Sequence, residues 1–439
     1  MPAKQLAKNA QVRYLTSPAR KSLRRFSAEA RRRLTASSHT ITYYHRADDP
    51  YSHLMVQALP RLQKTYNVEI VPRVVRTLPA DSLAMPELAA AYALEDAARL
   101  TGLYPFLQFP ANPVPPESET VLKASLLLAA YERQDCFFEV AETIGAALWY
   151  GMGEDLGAIE AQLPKGDERL MAERLAANEG ELVRRGHYMS AMLHYGGEWY
   201  WGIDRLDHLE RRLIGLGAER VEDQVALFDH GARALMTRKA AAAPSGPLAV
   251  FFSLRSPYSY IGLERAIEFA DYHGLDLVLK PVLPMVMRGL PVPRAKQIYI
   301  ILDAKREAEE LGIGFGNFAD PVGTGIERAF ALAAYARSEG RELTFFQSLA
   351  RAVWRDGLDL ATDAGLEKAA TRAGLDWGAA KPHLADESWR EWAEANRAAL
   401  TSLGLWGVPV YKYGGLAVWG QDRLWAIERA ILEDVGVED

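Results

Sequence analysis

Cysteine is nearly absent from this sequence. Cys136 is the single one in 439 residues, which excludes an internal disulfide and any Cys-x-x-Cys redox pair. Long apolar runs are missing too. None approaches the ~18 residues of a membrane-spanning helix, and the first residues contain no apolar signal-peptide core. The expected setting is a reducing cytoplasm, with no membrane partner. Acidic residues are scarce at the start: residues 1–40 hold ten Lys and Arg against one acid, Glu29. That stretch carries +9 and the remainder of the chain −15, within a total of −6. A basic arm over residues 1–39 suits nucleic acid or an anionic lipid surface. Its Arg-rich, acid-poor composition also suits a transit peptide. The third reading is a solvated helix packed on its own acidic body. Slight aromatic interleaving favours this third reading and speaks against nucleic acid as a partner.

The rest of the composition is that of a globular protein, 49% apolar and 25% charged, enough to bury two sizeable cores. The dominant feature is a repeat. Residues 195–206 read YGGEWYWGIDRL and residues 413–424 read YGGLAVWGQDRL, with eight of twelve positions identical at an offset of 218. Pro50-Tyr51-Ser52 faces Pro257-Tyr258-Ser259 at an offset of 207. The two copies therefore begin as well as end alike, and the chain is a duplicated domain.

Taken in order, residues 40–45 (TITYYH) form a β-type run, and Asp49-Pro50 opens an apolar-periodic helix. Residues 68–74 (VEIVPRV) read as a second strand. A helical stretch runs from about 85 to 190, then a tight YGG turn between two strands, then a helix from about Arg205. Residues 219–239 read as a further amphipathic helix. Small residues with Pro and Gly at 239–247 suit a linker. The second half repeats the plan: strand 248–253, a helix opened by Ser256-Pro257, strand 276–282, helices from about 295 to 403, two strands and a last helix. The expected organisation is a basic arm (1–39), a first domain (40–238), a linker (239–247) and a second domain (248–439). The order is β-α-β, a large helical insertion, then β-β-α, twice over. This is an α/β chain whose element order resembles two tandem thioredoxin-like domains.

The second half resembles the 2-hydroxychromene-2-carboxylate isomerase family, kin of kappa-class glutathione transferases and DsbA-like thioredoxin proteins. Three segments carry the resemblance: FFSLRSPYSYIGLE (251–264), KPVLPMVMRGLPVPRAKQIYIILD (280–303) and GVPVYKYGGLAVWGQDRL (407–424). In physical terms, Ser256 is expected as an N-cap and Pro257 as the first helical residue. A helix start offers unpaired N–H groups and a partial positive charge, which stabilise an anion. Redox relatives place a low-pKa cysteine there. With serine in that place, a hydroxyl donates a hydrogen bond to the sulfur of a thiol bound from outside. The resemblance implies that this thiol is glutathione and that Ser256 holds it as the thiolate. It further implies that Val408, preceding Pro409 in an element that is cis in the family, pairs with the glutathione backbone. Gln421 and Asp422 match the dipeptide that holds its γ-glutamyl end, and Lys296 matches a cation for its carboxylate. Ser256 and Asp422 also read as helix caps alone, and Pro409 as architecture alone.

The first copy departs at the residues that matter. Asp49 stands where Ser256 stands, and Ser190-Ala191 stand where Val408-Pro409 stand. A carboxylate caps a helix but repels a thiolate, so this half reads as a degenerate, non-catalytic copy. Its histidines (His45, His53, His187, His194) lack ligand spacing, which favours ordinary polar residues over a metal site. A built-in partner domain is one use for the copy, replacing the homodimer of single-domain relatives by an intramolecular pair. Two functions remain open. One is a glutathione-dependent isomerase or transferase acting on a small conjugated, aromatic acid. The other is a non-catalytic tandem scaffold that binds a peptide, a thiol compound or a protein.

Overall fold

The computed structural model describes residues 3–151, 168–229 and 244–436, with residues 157, 235, 236, 238 and 239 between them. Most of the second half of the helix expected at 219–239, and residues 240–243 of the expected linker, lie outside the described residues. The chain divides into two compact units, residues 22–233 and residues 1–21 with 234–439. The basic arm is helical, α1 at Ala3–Leu15 and α2 at Pro18–Leu34. Among the described residues no helix is long and apolar enough to cross a membrane.

In the unit of residues 22–233, β1 (His39–His45) runs into α3 (Pro50–Thr65) and then β2 (Val68–Val74). Helices α4 (Pro86–Leu100), α5 (Ser118–Tyr131), α6 (Phe137–Trp149) and α7 (Glu168–Arg184) follow. A hairpin of β3 (Met192–Tyr195) and β4 (Glu198–Trp201) precedes α8 (Leu206–Ile214). The sheet order is β2-β1-β3-β4. β1 lies parallel to β2 and antiparallel to β3, with Tyr43 opposite both Pro72 and Leu193. Ile41, Tyr43 and Tyr44 are fully buried, as suits the β-branched and aromatic residues of a strand covered on both faces.

The second unit repeats the plan: β5 (Leu248–Phe252), α9 (Pro257–His273) and β6 (Leu277–Pro281). Next come α10 (Arg294–Glu310), α11 (Thr324–Ala331), α12 (Ala333–Ser338), α13 (Glu342–Arg351), α14 (Asp363–Arg372) and α15 (Trp389–Ser402). β7 (Val410–Tyr413), β8 (Leu416–Trp419) and α16 (Leu424–Asp434) complete it. Its order, β6-β5-β7-β8, is the same. The protein thus has two mixed four-stranded sheets of thioredoxin-like order.

Duplication extends to individual hydrogen bonds. Asn178 Nδ2 donates to Val74 O at 2.9 Å, and Asn396 Nδ2 donates to Pro281 O at 3.0 Å. Tyr51 and Tyr258 donate to Asp96 and Asp303 at 2.9 and 2.7 Å. A buried glutamate on α8 and on α16 is met from the end of α3 and of α9: Tyr66, the residue after α3, on Glu210 at 3.1 Å, and His273, the last of α9, on Glu428 at 3.0 Å. The helix expected from residue 219 is absent over 219–229. Glu210 explains why: its carboxylate accepts from the Leu227 and Phe228 amides at 2.8 Å each. That fixes Leu227 and Phe228 in a turn and buries Phe228.

Candidate active site

Helix α9 starts where its sequence dictates. Ser256 has extended backbone angles (φ −86°, ψ 120°), and its Oγ accepts from the Ser259 amide at 3.1 Å. Pro257 follows, contributing no orphan N–H and a φ already suited to the first turn. Ser259 is tied back in turn, its Oγ accepting from Ser253 N at 3.2 Å. The half-buried Ser256 hydroxyl donates to Val408 O at 3.4 Å, a long contact near the limit of a hydrogen bond. Its proton therefore points at the residue before Pro409 and is weakly held.

Val408-Pro409 is the one cis peptide among the described residues. Gly262, in the second turn of α9, lets this loop approach. A Cβ there would come within 3.0 Å of Pro409 Cγ and 2.5 Å of the Tyr411 hydroxyl, which donates to Gly262 O at 3.0 Å. On the other side the Pro409 carbonyl accepts from Gly420 N at 3.0 Å. The helix start and the proline loop are thus fixed against each other.

The remaining expected residues are placed unequally. Gln421 is 1% exposed. Its carbonyl groups accept from Arg265, at 2.8 Å for Oε1, and its amide donates to Glu307 Oε2 at 2.7 Å. The side chain therefore ties α9 to α10. Asp422 sits 3.4 Å from the guanidinium of the buried Arg423. Lys296 lies in the first turn of α10, and burial pushes its ammonium pKa down. α10 packs on α9 through Ile261, Ala304 and Ala308 and through the Tyr258–Asp303 bond. The structure thus joins Ser256 to Val408 directly, sets Pro409 against Gly262 of the same helix, and puts Lys296 on the neighbouring helix α10.

Two supporting arginines escaped the reading of the sequence. Arg255, adjacent to Ser256, is held by both oxygens of Asp320 at 2.9 and 3.3 Å. Arg288 donates to Trp406 O at 3.0 Å, just before Gly407-Val408. The signal for Arg288 was its place inside segment 280–303. Arg255 gave none, because the first copy carries Asp48 at that position.

In the first unit the equivalent site is closed. Asp49 caps α3, accepting from Tyr51 N at 3.2 Å, Ser52 Oγ at 2.8 Å and Ser190 Oγ at 2.7 Å. The carboxyl is 7% exposed, and burial raises its pKa. Ala191 stands in place of the proline with φ +54°. The histidines of this unit are held neutral by burial, with pKa values pushed down to about 3 for His45 and His187 and about 4 for His53 and His194. Among the described residues no three His, Cys, Asp or Glu side chains group as metal ligands. Cys136 precedes α6, within the helical insertion.

Residues 248–432 match the DSBA-like thioredoxin domain family. Over 189 residues the chain is 23% identical to a 2-hydroxychromene-2-carboxylate isomerase of Pseudomonas putida, covering 41% of this chain and 92% of that protein. Among solved structures it is similar to a 2-hydroxychromene-2-carboxylate isomerase, with a TM-score of 0.38, 21% identity, and 44% and 99% of the two chains covered. It is also similar to a probable DsbA oxidoreductase of Streptomyces coelicolor, with a TM-score of 0.35, 18% identity, and 44% and 91% covered. Residues 248–432 are a DSBA-like thioredoxin domain, and the first half of the chain holds a second sheet of similar topology.

Proposed function

We propose that the DSBA-like domain binds glutathione and uses it in a glutathione-dependent isomerisation or transfer on a small conjugated, aromatic acid. One observation carries this reading: the Ser256 hydroxyl, at the start of a 17-residue helix, aims its weakly held proton at the Val408 carbonyl beside cis-Pro409. The similarity of residues 248–432 to a 2-hydroxychromene-2-carboxylate isomerase supports it.

The residues fit such a ligand. A sulfur beside Ser256 Oγ would take over the proton now given to Val408 O, and a charged acceptor makes the stronger bond. The α9 N-terminus adds its partial positive charge. An ammonium that burial penalises, as at Lys296, gains most from a nearby carboxylate. Asp422, held by Arg423, stays an acceptor for an amino group. Gln421 acts from beneath, fixing α9 to α10. When bound, glutathione supplies the thiolate nucleophile that makes a conjugated double bond rotatable. The chain itself, with its one cysteine placed in the other unit, supplies no such sulfur at Ser256. We read the closed Asp49 site as non-catalytic, and the same feature favours the second reading, a tandem scaffold that binds without chemistry.

Calorimetric titration of reduced glutathione into the intact protein, with Asp422→Asn beside it, separates the two. Saturable binding that Asp422→Asn weakens by about tenfold is the expected result. Neither heat nor a thermal shift at millimolar glutathione would leave only the scaffold.

A further inference from the structure

The proposed function leaves the arginines of the first unit without a task. Six of them, Arg25, Arg31, Arg32, Arg185, Arg211 and Arg212, line one cavity of about 690 Å³, against a single carboxylate, Glu29. Its walls are the part of α2 within residues 22–233, the start of β1, the β3–β4 turn and the end of α8. Asp49 lies past the other end of β1, so this cavity is separate from the closed thioredoxin-type site.

The guanidinium groups are positioned from behind. Glu198, 5% exposed, accepts from Arg24 and Arg25 at 2.8–2.9 Å and lies 3.5 Å from Arg212. Arg212 donates to the turn carbonyls of Tyr195 and Gly196 at 2.9 and 3.3 Å and lies over the Tyr195 ring. Gly196 has φ +51°, and a Cβ on it would meet Arg212 Nη2 at 2.3 Å. Turn and arginine therefore depend on each other. Arg185 is set by Glu181 at 2.5 Å and donates to His194 Nδ1 at 3.0 Å. Glu29 is ionised well below neutral pH, its pKa lowered to about 2 mainly by Arg32. Arg31 is exposed and is bound to no described side chain.

The positive field is visible in its neighbours. His194 is pushed down to about 4 by burial and then by Arg185 and Arg212. His39 is lowered by burial and then by Arg32. Nor does the cluster belong to the shared thioredoxin plan. At the positions of Arg185 and Arg212, 218 residues on, the second half carries Leu403 and Ala430.

We propose that this cavity binds a small compound carrying two or more phosphate groups. Guanidinium forks match phosphate oxygens two at a time, whereas the rim hydroxyls of Thr35, Ser38 and Thr40 already donate to Arg31 O and to Glu69, which leaves recognition to the arginines. The volume suits a small molecule. A nucleic acid strand needs a basic track along its backbone, whereas these six arginines converge on one hollow.

The test is calorimetric titration of inorganic tripolyphosphate, and separately of ATP, into the intact protein at low and at raised ionic strength. Arg31→Glu is the test variant, and Arg390→Glu, an exposed arginine of the other unit, the control. Saturable binding is expected, weakened about tenfold by Arg31→Glu, weakened by salt and unchanged by Arg390→Glu. Equal affinity for both probes identifies polyphosphate as sufficient, and tighter ATP binding adds the nucleoside; either supports the site. No saturable binding of either probe overturns it. So does equal weakening by both variants, which is general charge attraction, or binding confined to long oligonucleotides. Ser256→Ala leaves this binding unchanged, so the outcome is independent of the glutathione reading.

Discussion

Ser256 holds two positions at once, and two substitutions pull them apart. Its Oγ accepts from the Ser259 amide at 3.1 Å as a helix cap and donates to Val408 O at 3.4 Å. Replacing an N-cap serine by alanine costs about 1 kcal/mol, whereas glycine costs only a few tenths. The bond to sulfur follows a different scale. A hydrogen bond to a charged acceptor is worth about 1.5–3 kcal/mol, and the long contact to Val408 that it displaces offsets little. At about 1.4 kcal/mol per unit, bound glutathione should lose its thiolate by about one to two pKa units in either variant. Thiolate absorbance of the bound tripeptide, titrated against pH, reads this directly, and urea denaturation of the same proteins reads the cap. Ser256→Ala and Ser256→Gly should raise the thiol pKa alike while differing in stability. Ser256→Thr, which keeps a hydroxyl and a good cap, should stay near the parent. If Ser256→Gly leaves the thiol pKa untouched, the hydroxyl is a cap and nothing more, and the thiolate argument fails.

Two further outcomes follow from the packing. Glu210 is fully buried, and burial, its largest influence, pushes its pKa from 4.5 up to about 7. A raised folded value means the folded state holds the proton more tightly. Stability of the first unit is therefore greatest below pH ~4.5 and falls as pH rises towards ~7, by on the order of 3 kcal/mol. Glu210→Gln keeps an acceptor for only one of the two amides, which lowers stability at every pH, but it removes the titration and should flatten that slope in urea midpoints compared across pH; an unchanged slope would assign it elsewhere. Gly262→Ala should destabilise the DSBA-like domain by about 1–3 kcal/mol, because its methyl meets the Tyr411 hydroxyl at 2.5 Å. A wild-type urea midpoint would show that the proline loop yields.

The fold was legible because the sequence states it twice. The twelve-residue repeat and the Pro-Tyr-Ser pair framed both sheets, and β-branched runs located the strands to within a residue or two. What defeats the reading at 219–229 is a tertiary contact: apolar spacing around Val221 and Val225 resembles a helix, but Glu210, on the preceding helix α8, captures the amides of Leu227 and Phe228. A period cannot reveal a carboxylate waiting on another element.

The site divides along the same line. Ser256, Pro257 and Val408-Pro409 act through local backbone geometry, so residue type and order were enough to bring them together. Gln421 shows the opposite case. Its place beside Asp422 suggests a ligand contact, but its amide is spent between Arg265 and Glu307, two partners more than a hundred residues away. The arginine cavity was the least legible part, because half of it lies in the basic arm and half in residues scattered from 185 to 212. As sequence, the arm reads as charge to be neutralised by acid elsewhere. In the fold, Glu198 does pair with Arg24 and Arg25, but that pairing orients them beside Arg212 rather than consuming the charge. A single buried carboxylate shared among three guanidinium groups leaves that cluster with an excess of positive charge, and it is this unequal sharing that composition alone conceals.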